Sequence, residues 1–380
     1  MGPLLFLLAA AATQPAASVR VTFDKDGVTS VQSEGLADAS TNRAVRPDDT
    51  ARIASISKLV TTIGVMRLVE AKKLDLDTDV STYLGYPLRN PAFPDTPITL
   101  RLLLSHRSSL TDRLSYAVPL DAELRTTLAD PKAWDGEHPP GTFFRYTNFN
   151  FPVIAAVMER ATGERFDRLM DRLVLKPLKL HACFQWTTCD DATIARGVLL
   201  YRDGKVTRDD NNGKRPACPV IPASDGTCDL SRWRPGANGS LFSPQAGLHI
   251  SMPDLAKVGR LLMLGGKVDG VRLLTPQSVT AMITPVWTYD GANGDVGDGW
   301  VCSYGLGVIL TAVPTKGCRD DAFRDSRPRF GHSGDSYSLK AGLWIDPARG
   351  TGVAYFATDV PKEPGTRSAY TLTEENLARP

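Results

Sequence analysis

The distribution of apolar and polar residues divides the chain into a helical middle and strand-like ends. Near the start, residues 19–31 form two strand-like runs around an Asp-Gly turn, which predicts a β-hairpin. Near the end, residues 339–345 and 352–358 are typical of two more strands joined by a turn. Between these ends, apolar spacing predicts helices over residues 151–161 and 166–173. This order predicts an α/β fold of the α+β type: a mostly antiparallel sheet flanked by helices, plus a helical lobe.

The same pattern predicts several further elements and one irregular stretch. The further elements are a helix capped by Thr99 and ending at Leu104, a helix over residues 253–262, a strand over residues 304–310 and a terminal helix over residues 368–378. Residues 178–244 show neither helical nor strand periodicity and are rich in Asp, Asn, Gly and Pro. We therefore expect an irregular insertion that forms a wall of a substrate cleft. We therefore expect one domain over residues 19–380. Its sheet lobe comprises residues 19–70 and 245–380, and its helical lobe comprises residues 71–244.

The net charge and the first residues of the chain add predictions about binding partners and cellular location. The 44 basic and 42 acidic residues give a net charge of +2, which predicts neither nucleic acid nor an anionic membrane as a partner. Residues 1–18 are apolar and end in small residues, which predicts a secretory signal peptide, although no Lys or Arg precedes the apolar run; a disordered start is the alternative. No other segment approaches transmembrane length, so we expect a secreted or periplasmic protein.

The six cysteines are consistent with export. They form three pairs that are close in the sequence: Cys183 with Cys189, Cys218 with Cys228, and Cys302 with Cys318. Connectivity does not follow from sequence, but these local pairs are the simplest arrangement, and an oxidising compartment would make them structural disulfides. The rival interpretation is a metal site, but the chain has no Cys-x-x-Cys and its histidines are scattered.

An alternating run of aspartates over residues 73–79 resembles a calcium loop. However, Val80 stands where the loop needs glycine, and Tyr86 stands where it needs a bidentate glutamate. We therefore expect an exposed connector at this point, and no metal or cofactor in the protein.

Candidate chemistry begins in residues 52–62, which are typical of a turn that leads into an apolar helix. Ser55 and Lys58 are three residues apart, which on a helix places both on one face with roughly 5–6 Å between Cβ atoms. Burial and the helix dipole both disfavour the ammonium, and free N–H groups at the helix start can stabilise an oxyanion. The turn could thus supply a nucleophile, a base and part of an oxyanion hole. The alternative is a serine N-cap beside a solvated lysine.

Two further clusters, Tyr146-Thr147-Asn148 and His332-Ser333-Gly334, complete a constellation. Their order and spacing resemble the serine β-lactamase and penicillin-binding-protein superfamily, and in particular its class C β-lactamase, DD-peptidase and esterase branch. Phrases similar to those of that branch occur at residues 103–110 (LLSHRSSL), 140–142 (PGT), 304–307 (YGLG) and 330–335 (FGHSGD). The resemblance covers roughly residues 19–359.

The resemblance implies a role for each matching residue. Ser55 would be the nucleophile that the substrate acylates, and Lys58 and Tyr146 would share the proton transfers. A free tyrosine has a pKa near 10, and a nearby ammonium would make its phenolate easier to form. Asn148 would orient the acyl side of the substrate.

The resemblance also implies a substrate-binding strand edge. The backbone N–H groups of Ser55 and Asp335 would form the oxyanion hole. His332, Ser333 and Gly334 would bind the substrate, and the glycine would let it lie against the strand.

Two residues depart from the β-lactamase pattern, and both bear on the substrate. His332 replaces the usual lysine of Lys-Thr-Gly, and a largely neutral histidine attracts a carboxylate less strongly. Asp335, if it faces the cleft, would repel a substrate carboxylate and tolerate a neutral ester or an amine. These departures favour an esterase or D-amino-acid-type peptidase. A β-lactamase or D-alanyl-D-alanine carboxypeptidase is the alternative.

The sequence therefore predicts an exported serine hydrolase that acts on a small-molecule or peptide substrate through an acyl-enzyme at Ser55. A catalytically silent binding or scaffold protein on the same fold is the alternative from another class. Taken singly, Tyr146, Asn148 and His332 have ordinary structural roles, and a loop histidine such as His106 usually makes only a local hydrogen bond. An α/β-hydrolase is disfavoured, because residues 331–335 lack the final glycine of Gly-x-Ser-x-Gly.

Overall fold

The chain alternates short helices with strands that belong mainly to one sheet. The computed structural model describes residues 16–379, so the predicted signal peptide lies outside the described residues except for its last three positions. The strands are β1 Ala17–Asp24, β2 Val28–Asp38, β3 Arg43–Ala44, β4 Ala51–Arg52, β5 Phe144–Arg145, β6 Cys183–Phe184, β7 Leu200–Arg202, β8 Lys205–Arg208, β9 Leu248–Ile250, β10 Lys267–Val268, β11 Val271–Arg272, β12 Trp287–Thr288, β13 Gly294–Asp295, β14 Ser303–Tyr304, β15 Ile309–Leu310, β16 Phe330–Ser336, β17 Leu339–Asp346 and β18 Thr351–Thr358. The α-helices are α1 Ser57–Glu70, α2 Ser81–Leu84, α3 Leu100–Leu104, α4 Leu124–Leu128, α5 Asn150–Thr162, α6 Phe166–Met170, α7 Asp191–Ala195, α8 Met252–Met263, α9 Pro276–Ile283 and α10 Leu372–Ala378.

The main sheet joins the two ends of the chain, as the sequence predicts. Its strand order is β12-β14-β15-β16-β17-β18-β1-β2-β3, and neighbouring strands are antiparallel throughout. The predicted hairpin is β1–β2, and the two predicted C-terminal strands are β17 and β18. Ala17 is buried in β1 and pairs with Thr358, so the predicted signal boundary at residue 18 cuts into a core strand. The predicted fold class is confirmed.

Each face of this sheet is covered by a helix. Leu343 belongs to the core that includes the α8 helix, whereas the adjacent Trp344 belongs to the core that includes Ala378 of α10. Successive residues of a strand point to opposite faces, which is why β17 is apolar at nearly every position. Helices α8 and α10 pack against β18 from these two sides.

Residues 57–66 and Leu68 of helix α1 are all buried, in agreement with the apolar residues that the sequence places on several of its faces. Helices α2 to α7 all lie within residues 71–244, the segment assigned above to a helical lobe. The short helix capped by Thr99 is α3, and the Thr99 hydroxyl accepts a hydrogen bond from the Leu102 N–H. No helix in residues 16–379 combines the length and the apolar character needed to cross a bilayer.

The predicted strand over residues 304–310 is wrong, because that segment is a tight hairpin of β14 and β15. Gly307 has φ of +63°, and a Cβ there would lie 2.0 Å from Thr62 Oγ1 on α1. The glycine therefore both reverses the chain and allows close approach to α1. The predicted disulfides Cys183–Cys189, Cys218–Cys228 and Cys302–Cys318 are all present.

One close contact fixes β16 against the turn that carries Ser55. A Cβ at Gly334 would lie 2.3 Å from the Ile53 carbonyl oxygen, so only glycine permits this approach. Ile53 directly precedes the 3₁₀ turn Ala54–Ile56. The need for glycine therefore comes from protein packing and does not require the close approach of a substrate.

We expect Gly334→Ala to separate β16 from this turn. The added methyl meets backbone that cannot rotate away, so the free energy of unfolding should fall by roughly 1–3 kcal/mol, measured by urea denaturation. Labelling of Ser55 by a fluorophosphonate should slow as well. Gly136→Ala is the matched control, because no atom lies within 4 Å of its added Cβ. Equal stability of the two variants would contradict the contact.

Candidate active site

The turn that carries Ser55 is held between a strand and a helix. β4 pairs with β9, and the chain then passes through the 3₁₀ turn into α1. Ala54 has φ of +46°, in the left-handed region that non-glycine residues seldom adopt, so the turn stores strain. The Ser57 hydroxyl secures it by donating to the Ala54 carbonyl at 2.6 Å and accepting from the Leu248 N–H at 3.1 Å. Ser55 is thereby held half-buried at the floor of a cleft.

Lys58 is fully buried next to Ser55, and its amine faces three oxygen atoms. Its Nζ lies 2.9 Å from Ser55 Oγ, 2.9 Å from Asn148 Oδ1 and 3.2 Å from the Gln245 carbonyl oxygen. Burial lowers the pKa of Lys58 to about 7, and the Asp112 carboxylate offsets only part of this effect. An uncharged amine can donate to Asn148 and Gln245, which leaves its lone pair for the Ser55 hydroxyl.

Tyr146 lies beside this pair, with Lys58 Nζ 4.9 Å from its ring centre. The ring is half-buried, but the hydroxyl is shielded from solvent and has no hydrogen-bond partner among residues 16–379. Burial raises the pKa of Tyr146, and the neighbouring Ser55 hydroxyl opposes this only in part. The effect of a nearby ammonium on the Tyr146 phenolate stays a prediction. Burial disfavours the charged form of both groups.

Asn148 is held from both ends of its side-chain amide. Its Oδ1 accepts from Lys58, and its Nδ2 donates to Asp112 at 2.9 Å. The same carboxylate accepts from the backbone N–H groups of Asn148 and Phe149, at 2.9 and 3.0 Å. The Asn148 amide thus orients Lys58 and also lines the cleft, and its contact with the acyl side of a substrate stays a prediction. Sequence analysis misses Asp112, because a single loop aspartate carries no local signal.

β16 forms another wall of the cleft. Ser333 and Asp335 line it, and the exposed Asp335 carboxylate accepts from Lys340 Nζ at 2.6 Å. β15 pairs with β16 only through Phe330 and Gly331, so within the described chain this edge of β16 has no strand partner beyond Gly331. The oxyanion hole of Ser55 and Asp335 N–H groups stays a prediction. The Gly334 contact with Ile53 brings the two segments together.

His332 is buried beneath the cleft and does not line it. Its side chain is fully buried, with Nε2 2.9 Å from Tyr304 Oη and Nδ1 2.6 Å from the Ser333 carbonyl oxygen. Burial lowers the pKa of His332 to about 3, so the ring is neutral. The prediction that His332 contacts the substrate is corrected, because alternation along β16 directs Ser333 towards the cleft and His332 away from it.

A second buried histidine, His106, has a larger role than the local hydrogen bond expected of it. Its Nδ1 lies 3.1 Å from the Thr147 nitrogen and 3.0 Å from Asn150 Nδ2, and its Nε2 lies 3.2 Å from Tyr304 Oη. Its ring stacks on that of Tyr146, with centroids 4.4 Å apart. Burial lowers its pKa well below the ordinary histidine value. The only sequence signal for this role is the phrase around His106, which by itself does not identify these distant partners.

The cleft above Ser55 has a volume of about 520 Å³, within the range of roughly 300–1,000 Å³ that is typical of small-ligand sites. Aromatic and charged side chains share its walls. Besides the residues already described, the aromatic ones are Tyr116, Trp300 and Tyr370, and the charged ones are Asp298, Asp335, Lys340 and Glu374.

The insertion does not form the wall predicted for it. No residue of the range 183–228 lines this cleft, and only Arg202 lines an adjoining depression that shares Asp335 and Lys340 with it. The start of the insertion is instead tied to β9 through β6. The loop near residues 297–300, residues 369–370 and Glu374 at the start of α10 form the wall in its place.

One cluster outside the cleft has the residue types of a metal site. Asp135, Glu137 and His138 place ligand atoms within 4.8 Å of one another. However, Asp135 Oδ2 already accepts from His138 at 2.9 Å and from Arg145 at 3.2 Å. A cation would have to displace an arginine, so this cluster is explained by its own ion pairs.

Comparison with known proteins agrees with this geometry. The sequence matches the family model described as Beta-lactamase over residues 8–377. The chain belongs to the β-lactamase family. It is 31% identical over 195 residues to esterase EstB of Burkholderia gladioli, a match that covers 46% of this chain and 47% of EstB. It is 24% identical over 334 residues to penicillin-binding protein 4 of Amycolatopsis lactamdurans, covering 86% of this chain and 76% of that protein.

Two solved hydrolase structures share the fold. EstCE1, described as a hydrolase with promiscuous acyltransferase activity, gives a TM-score of 0.68 at 21% identity and covers 96% of this chain and 93% of its own. The class C β-lactamase of Rhodobacter sphaeroides gives 0.67 at 16% identity, covering 96% and 92%. The resemblance drawn from the motifs is confirmed, and the chain belongs to a superfamily of serine hydrolases that includes esterases, DD-peptidases and β-lactamases.

We expect the rate at which a fluorophosphonate labels Ser55 to report the ionisation of Lys58. Only the uncharged amine can accept the serine proton, so the rate should rise about tenfold per pH unit and level off above a midpoint of about 7. Asp112→Asn removes a carboxylate that favours the ammonium, so its midpoint should move to lower pH.

Asp26→Asn, which neutralises an exposed aspartate between β1 and β2, is the control and should leave the midpoint in place. A wild-type midpoint near the ordinary lysine value, or an unchanged midpoint in Asp112→Asn, would contradict the role given to burial.

Proposed function

We propose that this protein is an exported serine hydrolase that cleaves esters or amides through an acyl-enzyme at Ser55. Lys58 takes the Ser55 proton as Oγ attacks the substrate carbonyl. The Tyr146 phenol then donates a proton to the leaving group and regains one from the Lys58 ammonium. The N–H groups of Ser55 and Asp335 stabilise the oxyanion. Water finally hydrolyses the acyl-enzyme.

The observation that carries this proposal is the hydrogen-bonding of Lys58. Two neutral acceptors, Asn148 Oδ1 and the Gln245 carbonyl, hold the amine 2.9 Å from Ser55 Oγ, and no carboxylate of residues 16–379 is hydrogen-bonded to it. A base needs a free lone pair, and this arrangement with a lowered pKa supplies one. A silent scaffold protein would not need a buried, uncharged lysine beside a half-buried serine in an open cleft.

The charges of the cleft favour neutral or amine-bearing substrates. Asp298 and Asp335 line it against the ammonium of Lys340, which is already paired with Asp335, while the carboxylate of the buried Glu374 accepts from Thr371. His332, the position where β-lactamases usually place a lysine, is neutral and buried. We therefore place an esterase or D-amino-acid-type peptidase ahead of enzymes whose substrates carry a carboxylate. EstB, by its name an esterase, is among the relatives.

A β-lactamase or D-alanyl-D-alanine carboxypeptidase is the second candidate. Lys340 supports it, because its ammonium could bind a substrate carboxylate if Asp335 released it. The D-alanyl-D-alanine-carboxypeptidase/endopeptidase AmpH of Escherichia coli is also a relative, 28% identical over 144 residues.

Export is supported by the three disulfides, which form in oxidising compartments. The apolar residues 1–18 provide the corresponding signal peptide in this proposal.

We expect intact-protein mass spectrometry to detect one covalent fluorophosphonate adduct on the wild-type protein and none on Ser55→Ala. Ser336→Ala, which changes another serine that lines the cleft, should keep the adduct. An adduct that persists in Ser55→Ala would remove this serine as the nucleophile.

We expect a neutral p-nitrophenyl ester to be hydrolysed with a higher kcat/KM than an analogue with a terminal carboxylate. Asp335→Asn frees Lys340, so the relative kcat/KM of the anionic ester should rise about fivefold, the effect of roughly 1 kcal/mol between charges in water. Lys340→Gln should lower it, which makes the two variants opposite controls. Comparable wild-type turnover of a penicillin and the neutral ester would contradict the assigned substrate class.

A further inference from the structure

His106, Tyr304 and His332 form a continuous hydrogen-bonded row beneath the cleft. None of the three is placed in the proton transfers proposed above. All three are fully or almost fully buried, and each comes from one of the phrases LLSHRSSL, YGLG and FGHSGD. The row begins at the Thr147 backbone, between Tyr146 and Asn148, and ends at the Ser333 carbonyl.

The partners at one end of the row fix the direction of every hydrogen bond. His106 Nδ1 faces two donors, the Thr147 N–H and the Asn150 side-chain amide, so it must be an acceptor. The orientation of that amide is set by its oxygen, which accepts from the Ser108 hydroxyl at 2.6 Å. A neutral His106 then carries its hydrogen on Nε2 and donates it to Tyr304 Oη.

The remaining bonds follow from the first. Because Tyr304 Oη accepts from His106, its own hydrogen is directed to His332 Nε2 at 2.9 Å. His332 then carries its hydrogen on Nδ1 and donates it to the Ser333 carbonyl at 2.6 Å. The two histidines are therefore opposite tautomers, and a phenol that is both donor and acceptor joins them.

We propose that His106, Tyr304 and His332 act as a positioning chain, whose one-directional hydrogen bonds hold the Tyr146–Asn148 segment at a fixed distance from the cleft edge of β16. His106 supports the Tyr146 ring from below by stacking, and binds the backbone of the next residue. His332 fixes the carbonyl of a residue that lines the cleft. The chain thus links two segments that must converge on the same substrate carbonyl in the proposed function, on which this inference rests.

The positioning chain also explains why position 332, in the phrase FGHSGD, is a histidine. Position 332 must accept from Tyr304 and donate to Ser333 at the same time, which neutral imidazole does with its two nitrogens. A lysine ammonium could only donate, and burial of its charge would be unfavourable. The positioning chain therefore requires a histidine in place of the lysine of Lys-Thr-Gly. This requirement is independent of substrate binding in the cleft.

The first test determines the tautomers directly. In wild-type protein labelled with ¹⁵N-histidine, long-range ¹⁵N–¹H correlations should show the hydrogen of His106 on Nε2 and that of His332 on Nδ1. A hydrogen on Nε2 of His332, or a charged ring of either histidine at neutral pH, would contradict the proposed positioning chain. This measurement needs no substrate, so it tests the positioning chain even if the wild-type protein hydrolyses nothing and the proposed function fails.

The second test measures positioning. Tyr304→Phe removes the central hydroxyl and keeps the ring, so kcat for the neutral ester should fall roughly 10- to 100-fold, the effect of a small misplacement of reacting groups. KM should change less than about twofold, because the side chains that line the cleft are unchanged. Tyr201→Phe is the matched control: it removes another buried tyrosine hydroxyl, which accepts from the Ala39 N–H at 2.8 Å, and should keep full kcat.

A third variant covers the case in which Tyr304→Phe fails to fold. His332→Asn keeps a donor for the Ser333 carbonyl but offers Tyr304 no acceptor in the same place, so kcat should fall to a similar extent. The losses of the two single variants should not add in the double variant, because both break one chain. Full kcat in either single variant, an equal loss in Tyr201→Phe, or additive losses in the double variant would overturn the proposal.

Discussion

The burial of an uncharged amine is the constraint on which the rest of this active site depends. Removing Lys58 from water disfavours its ammonium, and its amine is hydrogen-bonded to no carboxylate in the described part of the chain that would restore the charge. The neighbouring carboxylate of Asp112 is kept one residue away, on the far side of the Asn148 amide. The Asn148 amide thus connects Asp112 to Lys58 through two hydrogen bonds, and the Asp112 carboxylate itself does not contact the amine. This separation keeps the lysine reactive towards Ser55.

The other features of the site bring three distant chain segments to this amine. Strain at Ala54 and the Ser57 hydroxyl shape the nucleophile turn, and the glycine contact at Ile53 attaches β16 to it. The buried row from His106 to His332 connects β16 to the tyrosine segment. Specific polar bonds within a closely packed core therefore set the geometry, while the exposed charges of the cleft are left to select the substrate.

Local chemistry in the sequence predicts the parts of this site that lie close together in the chain. The Ser55–Lys58 pair follows from helical spacing, and the sheet strands β17 and β18 follow from their apolar runs. Contacts between distant residues leave no such pattern, so Asp112 and the Gln245 carbonyl are not identified. Alternation shows that His332 and Ser333 point in opposite directions but not which of them faces the cleft. Composition marks the disulfide-rich insertion as irregular, yet its packing against β9 depends on the whole fold.

Direct titration of Lys58 tests the buried-amine mechanism most closely. In protein labelled with ¹³C at lysine Cε, one resonance, assigned by its loss in Lys58→Met, should titrate with a midpoint of about 7. The exposed lysines should titrate near their ordinary value of about 10.4. If the Lys58 resonance instead titrates with the exposed lysines, the amine is charged at neutral pH and cannot serve as the base for Ser55.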